Sequence, residues 1–300
     1  MCGIAGYFNT FNYDQRICSD LSNSVIDSIR KRGPDSYGAW NNSFLYLLHS
    51  RLSIIDISEN ANQPMISKNG RYILVFNGEI YNYKTLKKNY LQHQSIKSSG
   101  DTEVIIQLFE KFGVEDTIKL LNGMFSIGVY DNLTKNLFLI RDRTGQKPLY
   151  YYFDNTNFCF SSELSSFYNF KDIDLRLNIA SFNEFLRLGY FPQKTSSIKN
   201  IKKVLPGTYI KVTKIENKFH LEEKKWLGIN IINKKKNNHN FQNEVSHLNE
   251  IFLNVVGDNL VSDVNKGVFL SSGIDSTLIA CYSKIFLNNN LNTFTIGFEN

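Results

Sequence analysis

Four short segments rich in β-branched and aromatic residues follow one another in the middle of the chain, and they constrain its fold more than any other feature. They cover residues 124–130, 137–140, 149–153 and 157–160. Because turn residues separate them, each segment is expected to pair with its neighbour in an antiparallel hairpin. Apolar residues also recur at helical spacing in residues 17–29 and 104–112. This part of the chain is therefore predicted to form an α+β domain.

A segment rich in Asn and Lys, residues 229–240, has no apolar periodicity and is predicted to connect two domains. Residues 1–228 then form the first domain, and residues 241–300 form the beginning of a second. After the connection, an apolar helix leads into strand-like residues 267–270, another apolar helix and strand-like residues 294–296. This order predicts a β-α-β unit with parallel strands.

The composition bears on several classes of partner. Of the 300 residues, 42% are hydrophobic, which is enough apolar material for conventional cores. The net charge of +6 is dispersed, apart from Lys234-Lys235-Lys236, so we expect no nucleic-acid partner. No apolar run approaches the roughly 18 residues that cross a bilayer, so we expect a cytoplasmic protein without a membrane partner. The four cysteines lack the paired spacing of a zinc site or a disulfide framework: Cys2, Cys18, Cys159 and Cys281.

Cys2 becomes the first residue of the chain if Met1 is removed. An amino-terminal cysteine carries a nucleophilic thiol and, in its own α-amino group, a base with an unperturbed pKa of about 8. That combination suits attack on an amide carbonyl without a separate histidine. The dipeptide alone is a weak signal, because short motifs occur in many unrelated chains.

Polar residues at the ends of apolar segments supply the other parts of a candidate site. Taken singly, Arg51 fits a surface cation, Asn77-Gly78 a hairpin turn, and Asp101 the N-cap of a helix. Taken together, they fit an α-amino acid, because Arg51 can bind its carboxylate and Asp101 or Glu79 its ammonium. If that substrate is glutamine, its side-chain amide reaches the cysteine thiol. The Asn77 amide and the Gly78 N–H are then the donor types that stabilise the oxyanion.

Ordered motifs run through the first domain. They are Cys2-Gly3-Ile4-Ala5-Gly6, Arg32-Gly33-Pro34-Asp35, Arg51-Leu52-Ser53-Ile54, Asn77-Gly78-Glu79-Ile80-Tyr81-Asn82, Gly100-Asp101-Thr102-Glu103, Gly123-Met124-Phe125, Arg141-Asp142-Arg143 and Lys147-Pro148-Leu149-Tyr150-Tyr151. In these motifs the chain closely resembles the glutaminase domain of glutamine-dependent asparagine synthetases, class II amidotransferases of the N-terminal nucleophile family. The resemblance implies a four-layer αββα sandwich with Cys2 as nucleophile and Asn77 and Gly78 as oxyanion hole. It also implies glutamine binding by Arg51, Leu52, Ser53, Ile54, Ile55, Asn77, Gly78, Glu79 and Asp101.

A Ser- and Gly-rich loop, residues 271–276, follows the first strand of the second domain and opens a helix. Such a loop can cradle a phosphate, because backbone N–H groups and the helix N-terminus converge on the anion. An ordinary strand-to-helix connection with a serine cap fits the loop equally well. The loop is not a Walker A motif, since no lysine follows Gly273 at the required position.

The same loop resembles the pyrophosphate-binding loop of ATP pyrophosphatases, S-G-G-x-D-S, with Ser272 in place of the first glycine. The resemblance implies the start of an α/β ATP-pyrophosphatase domain, with Mg²⁺ near Asp275 and no prosthetic group. It implies ATP binding by Leu270, Ser271, Ser272, Gly273, Asp275, Ser276 and Ile296.

For an intact family member, the resemblance implies two linked reactions. Glutamine is hydrolysed through a γ-glutamyl thioester, and the ammonia aminates β-aspartyl-AMP made from aspartate and ATP. Family members are usually much longer than this chain, so we expect an incomplete synthetase domain and either a missing C-terminal half or a homodimer. Two other hypotheses stay open: an amidotransferase with a different carboxylate or sugar acceptor, and a glutamine-binding regulatory protein without synthetase activity.

Overall fold

The chain forms two compact units in a computed structural model, residues 1–228 and residues 229–300. The structure describes residues 1–10, 15–170, 173–192, 194–227, 240–287 and 291–297. The predicted connection, with its run of three lysines, lies outside the described residues apart from Asn240. None of the described helices is both long enough and apolar enough to cross a membrane.

Two antiparallel sheets of six strands each form the middle of the first unit. One sheet, in the spatial order β10-β8-β9-β1-β3-β2, contains β1 (Gly3–Asn9), β2 (Ser36–Asn41), β3 (Leu45–Arg51), β8 (Tyr150–Phe153), β9 (Asn157–Ser161) and β10 (Ile201–Lys203). The other, in the order β12-β11-β7-β6-β5-β4, contains β4 (Met65–Ile66), β5 (Tyr72–Ile80), β6 (Gly123–Asp131), β7 (Asn136–Arg141), β11 (Thr208–Ile215) and β12 (Lys218–Lys225). The pairs β6–β7 and β8–β9 are the hairpins predicted from the four central segments.

Helices cover the outer faces of both sheets. Those of the first unit are α1 (Gln15–Ile29), α2 (Tyr83–Tyr90), α3 (Asp101–Phe112), α4 (Val114–Leu120) and α5 (Ile179–Leu188). The first sheet contacts α1, and β5 of the second sheet contacts α3. The helix predicted from the apolar spacing of residues 104–112 is α3, which is followed by Gly113 with a φ of 78°, a conformation that glycine adopts readily.

Successive residues of the central strands face different cores. Ile4 and Leu47 are fully buried between the two sheets. Their neighbours Ala5 and Leu48 are buried between the first sheet and α1. Because side chains alternate along a strand, one sheet separates the two cores. The layers therefore run α, β, β, α, and the predicted αββα sandwich is confirmed.

The second unit has the predicted β-α-β order. It contains α6 (Phe241–Asn259), β13 (Gly267–Phe269), α7 (Ile274–Leu287) and β14 (Asn292–Phe294), with β13 and β14 parallel. The predicted strand at residues 294–296 was wrong by two positions, because β13 ends at Phe269 and pairs there with Phe294. Among the described apolar side chains of this unit, Phe269 is 80% and Ile296 77% exposed.

Candidate active site

A cavity of about 210 Å³ in the first unit brings together most of the residues predicted to bind glutamine. Its walls comprise Met1, Cys2, Arg51, Leu52, Ile54, Ile55, Ala61, Gln63, Phe76, Asn77, Gly78, Glu79, Asp101, Thr102, Met124 and Lys147. Of the predicted glutamine-binding residues, Ser53 is not in these walls, and its N–H donates to the Asp35 carboxylate at 2.7 Å. The cavity is small for a ligand site and suits an amino acid.

Strand pairing brings these residues to one end of the sandwich. The antiparallel neighbours β1 and β3 are in register, so Cys2, just before β1, lies beside Arg51 at the end of β3. In the other sheet, β5 carries Asn77 to the same cavity. Asp101 is the first residue of α3, and its Oδ2 accepts a hydrogen bond from the Ile80 N–H of β5 at 2.9 Å. This bond ties the helix to the strand.

The Cys2 thiol is held by the main chain of Leu52. Its sulfur accepts a hydrogen bond from the Leu52 N–H at 3.4 Å and donates to the Leu52 carbonyl oxygen at 3.6 Å. Burial raises the pKa of the thiol, although the bond with Leu52 and the charge of Arg51 oppose this effect. The thiol is therefore protonated near neutral pH, and a base must accept its proton before it can attack.

In the described part of the chain, β4 pairs only with Ile73 and Leu74 of β5, so the same edge of β5 has no neighbouring strand from residue 75 onward. Buried side chains take the place of a strand, because the Phe76 N–H donates to Gln63 Oε1 at 2.6 Å and its carbonyl oxygen accepts from His49 Nε2 at 3.1 Å. Burial lowers the pKa of His49 to about 3. Its ring is therefore neutral, with the proton on Nε2, since a carbonyl can only accept.

The Gly78 N–H points toward this same edge. Along a strand, N–H groups point alternately to either side, so residue 78 shares an edge with residues 76 and 80. In agreement, Phe125, opposite Gly78 on β6, exchanges its backbone hydrogen bonds with Asp142 and not with β5. No described residue accepts from the Gly78 N–H, which lies in the cavity wall. A side chain is excluded here, since a Cβ atom would lie 2.1 Å from the Met124 carbonyl oxygen.

The Asn77 side chain is buried beside this open N–H, at 1% exposure. Neither its amide nitrogen nor its amide oxygen has a hydrogen-bond partner among the described residues. A buried polar group without a partner costs about 1–3 kcal/mol, so its place in a cavity wall indicates a group that serves a ligand. Together with the Gly78 N–H, the Asn77 amide supplies the two donors that an oxyanion needs.

Arg51 is fixed by the loop that follows β3. Its Nη1 donates to the Ser58 carbonyl oxygen at 2.8 Å and to Asn62 Oδ1 at 2.9 Å, and its Nη2 donates to the Asp56 carbonyl oxygen. Within the described residues, two of the five guanidinium N–H groups have no acceptor. Arg51 is therefore held in place and still has donors for a carboxylate ligand.

The carboxylates of Asp101 and Glu79 and the ammonium group of Lys147 also line the cavity. Burial raises the pKa of Asp101 to about 7 against the hydrogen bond from the Ile80 N–H, and the charge of Glu79 adds to the rise. Burial likewise raises the pKa of Glu79, while the charge of Lys147 opposes it. An ammonium ligand stabilises both carboxylates in their charged forms. The cavity therefore has cationic Arg51 and acidic Asp101 and Glu79 to bind the opposite charges of an α-amino acid.

The serine-rich loop of the second unit joins β13 to α7, as predicted. Ser271 Oγ and Ser276 Oγ are 2.9 Å apart, and the Gly273 N–H donates to Ser271 Oγ at 3.2 Å. Ser272 is exposed and has no positive φ, so serine causes no backbone strain there. Asp275 is exposed in the first turn of α7. In the parts of the chain that the structure describes, no three or more His, Cys, Asp or Glu side chains form a metal cluster.

Leu270 and Ile296 lie close to the ends of the two parallel strands. The Leu270 N–H donates to the Phe294 carbonyl oxygen at 2.9 Å, and its carbonyl oxygen accepts from Thr295 Oγ1 at 2.8 Å. Ile296 follows one residue later. The predicted ATP-binding residues thus lie at the carboxyl ends of β13 and β14, where α/β sheets bind ligands.

The sequence analysis did not predict three polar residues that line this cavity: Gln63, Thr102 and Lys147. Thr102 and Lys147 belong to matching motifs, but nothing in their spacing places them in a cavity wall. Gln63 lies in a segment without periodicity, and its contact with β5 spans 13 residues. Long-range contacts of this kind have no local sequence signal.

Comparisons with known proteins agree with this geometry. Residues 1–226 match the glutamine amidotransferase domain family, and residues 247–300 match the asparagine synthase family. The putative asparagine synthetase (glutamine-hydrolyzing) 2 of Methanocaldococcus jannaschii is 32% identical over 100% of this chain and 60% of its own length. Asparagine synthetase (glutamine-hydrolyzing) 3 of Bacillus subtilis is 30% identical over 100% of this chain and 48% of its own length. The chain thus spans about half the length of the curated relatives it matches.

Among solved structures, the glutamine phosphoribosylpyrophosphate amidotransferase of B. subtilis, complexed with ADP and GMP, is similar with a TM-score of 0.53. The match covers 98% of this chain and 65% of that chain at 15% sequence identity, so it bears on the fold alone. The four-layer αββα fold agrees with the family match over residues 1–226, which is a glutamine amidotransferase domain. The chain belongs to the glutamine amidotransferase domain family, and its curated relatives include glutamine-hydrolysing asparagine synthetases.

Proposed function

We propose that this chain is the glutaminase part, and the beginning of the synthetase part, of a glutamine-hydrolysing asparagine synthetase. Residues 1–228 hydrolyse glutamine, residues 229–240 connect the domains, and residues 241–300 begin the ATP-binding domain. The observation that carries the proposal is the cavity in which a thiol, two open oxyanion donors, a guanidinium and two carboxylates converge. The family matches at both ends of the chain support it.

Glutamine binds by its two charged groups and is attacked at its side-chain amide. Its α-carboxylate accepts hydrogen bonds from Arg51, and its α-ammonium is held by Asp101 and Glu79. The side chain then extends along the cavity toward Cys2. The remaining predicted contacts come from the loop after β3: Leu52, Ser53, Ile54 and Ile55.

Hydrolysis begins once removal of Met1 has freed the α-amino group of Cys2. This amine accepts the thiol proton while Sγ bonds to the amide carbon, and the carbonyl oxygen becomes an oxyanion bound by Asn77 Nδ2–H and the Gly78 N–H. Collapse of this intermediate breaks the C–N bond, and the proton leaves with ammonia. Water then hydrolyses the γ-glutamyl thioester, which releases glutamate and restores the thiol.

In the whole enzyme the ammonia aminates β-aspartyl-AMP made from aspartate and ATP. The loop hydroxyls and the N-terminus of α7 supply donors for the ATP phosphates, and Asp275 would hold Mg²⁺, which would neutralise phosphate charge. The proposed ATP contacts are Leu270, Ser271, Ser272, Gly273, Asp275, Ser276 and Ile296. The proposal places the reaction in the cytoplasm and needs no prosthetic group, nucleic acid or membrane.

Glutamine hydrolysis in the absence of aspartate and ATP tests the glutaminase assignment. Glutamate and ammonia formation should be lost in Cys2→Ala and retained in Cys281→Ala, whose exposed thiol lies in the second unit. Hydrolysis that survives Cys2→Ala would contradict the nucleophile assignment. Tight glutamine binding without turnover, in a protein confirmed to begin at Cys2, would instead favour a regulatory glutamine-binding protein.

A further inference from the structure

Asp56 connects the loop after β3 with the loop before α3, which adjoin Arg51 and Asp101 of the cavity, although Asp56 does not line the cavity itself. The residue is 6% exposed and has a φ of 52°, in the left-handed region that few non-glycine residues adopt. Such a conformation persists only where surrounding contacts hold it. Asp56 has such contacts on both sides.

On its own loop, Asp56 is bonded to Arg51 and Ser58. Its carbonyl oxygen accepts a hydrogen bond from Arg51 Nη2. Its Oδ1 accepts from the Ser58 N–H at 3.0 Å and from the Ser58 hydroxyl at 2.5 Å. The guanidinium assigned to the glutamine α-carboxylate therefore rests on the main chain of Asp56.

The other carboxylate oxygen of Asp56 binds the loop that precedes α3. Its Oδ2 accepts from the Ser98 hydroxyl at 2.6 Å and from the Ser99 N–H at 2.7 Å. Ser98 Oγ in turn accepts from the Gly100 N–H at 2.9 Å, and Gly100 immediately precedes Asp101. Hydrogen bonds thus lead from Arg51 to the main chain of Asp56, and from the Asp56 carboxylate through Ser98 to Gly100, the residue before Asp101.

We propose that Asp56 is a positioning residue that fixes the spacing between Arg51 and Asp101, and so determines how both charged groups of glutamine are bound. The inference rests on the proposed glutaminase function. The carboxylate and ammonium of an α-amino acid share one carbon atom, so their partners must stand at one fixed separation. Asp56 and Ser98 are 42 residues apart in the sequence, and their bond joins the two sides of the site.

Asp56→Asn removes this connection with little change in volume. A carboxylate accepts hydrogen bonds at both oxygens, whereas an amide nitrogen accepts none, so one of the two loops loses its acceptor. Asp131→Asn is the matched control. Asp131 is 4% exposed and accepts from Arg71 at 2.8 and 3.0 Å and from the Leu133 N–H at 3.0 Å, but it does not line the cavity.

The experiment measures kcat and KM for glutamine hydrolysis by the whole chain. In Asp56→Asn we expect KM to rise about tenfold, the effect of losing one charge-assisted hydrogen bond, with kcat changed less than about threefold. The rate of Cys2 alkylation by iodoacetamide, followed in the N-terminal peptide, should stay unchanged. The glutamine concentration that protects Cys2 from alkylation should rise in parallel with KM.

Ser98→Ala removes one of the two hydrogen bonds between Asp56 and the second loop and leaves the bond from the Ser99 N–H, so it should raise KM, but less than Asp56→Asn does. The double variant Asp56→Asn/Ser98→Ala should raise KM by less than the product of the two single effects, because both changes weaken the same connection. A KM within about twofold of the native value in both single variants, or an equal rise in Asp131→Asn, would overturn the positioning role. If Asp56→Asn does not fold, an unchanged KM in Ser98→Ala overturns it. Failure of the native chain to hydrolyse glutamine would instead refute the proposed function.

Discussion

Replacing Asn77 by Ala should separate catalysis from stability. The amide has no hydrogen-bond partner among the described residues, so truncation breaks none of their bonds. Removing buried side-chain atoms costs about 1–2 kcal/mol, whereas removing an unpaired buried amide restores about 1–3 kcal/mol. Because these contributions oppose each other, we expect the free energy of unfolding to change by less than about 1 kcal/mol.

The same substitution should lower kcat for glutamine hydrolysis by about 100- to 1000-fold, or about 2.7–4 kcal/mol, as loss of one oxyanion donor does. KM should change little, because the donor binds the transition state more strongly than the substrate. Unfolding can be followed by fluorescence, since both tryptophans, Trp40 and Trp226, lie in the first unit.

Gln63→Ala is the matched control, because this amide lines the same cavity but accepts from the Phe76 N–H at 2.6 Å. It should lose about 1–3 kcal/mol of unfolding free energy by leaving that N–H unpaired. An Asn77→Ala protein that keeps more than about a tenth of kcat would refute the oxyanion assignment. A stability loss above about 2 kcal/mol would refute the premise that the Asn77 amide is unpaired.

Two further predictions concern protons in the cavity. KM for glutamine should fall as the pH rises through about 7, because burial raises the pKa of Asp101 to about 7 and the ionised carboxylate attracts the α-ammonium. Asp101→Asn should remove this pH dependence. The folded state binds the Asp101 proton more tightly than the unfolded state, so stability is lost as the pH rises from about 4, the unfolded pKa, through about 7, the folded pKa. Asp101→Asn should recover up to about 4 kcal/mol above pH 7. Hydrolysis should also require removal of Met1, with activity proportional to the fraction of chains that begin at Cys2 by intact mass. Full activity in chains that retain Met1 would contradict the assignment of the α-amino group as base.

Local patterns predicted several elements of the first unit, because such patterns depend on near neighbours in the sequence. The apolar spacing before Gly113 predicts α3, and the turn residues between short β-rich segments predict the hairpins. The last strand was predicted two residues too late, since its end is set by pairing with Phe269 and not by its own composition. The end of this strand therefore depends on a pairing partner that is distant in the sequence.

The sequence predicted which residues act together in the cavity, but not how they are arranged in space. Matching motifs indicated that Cys2, Arg51, Asn77 and Asp101 act together, and the fold places them in one cavity wall. The open edge of β5 had no signal in the sequence, because it depends on a buried His and Gln that replace a neighbouring strand. The same is true of Asp56, whose carboxylate joins its own loop to a loop 42 residues away.

Detection of the γ-glutamyl thioester on Cys2 tests directly whether Cys2 is the nucleophile. The chain would be mixed with glutamine, quenched in acid within the first turnover, and its N-terminal peptide analysed by mass spectrometry. If Cys2 is the nucleophile, it gains one glutamyl group, which hydroxylamine removes and Cys2→Ala abolishes. Glutamate formation with no acyl group on Cys2 at any time during turnover would contradict this assignment.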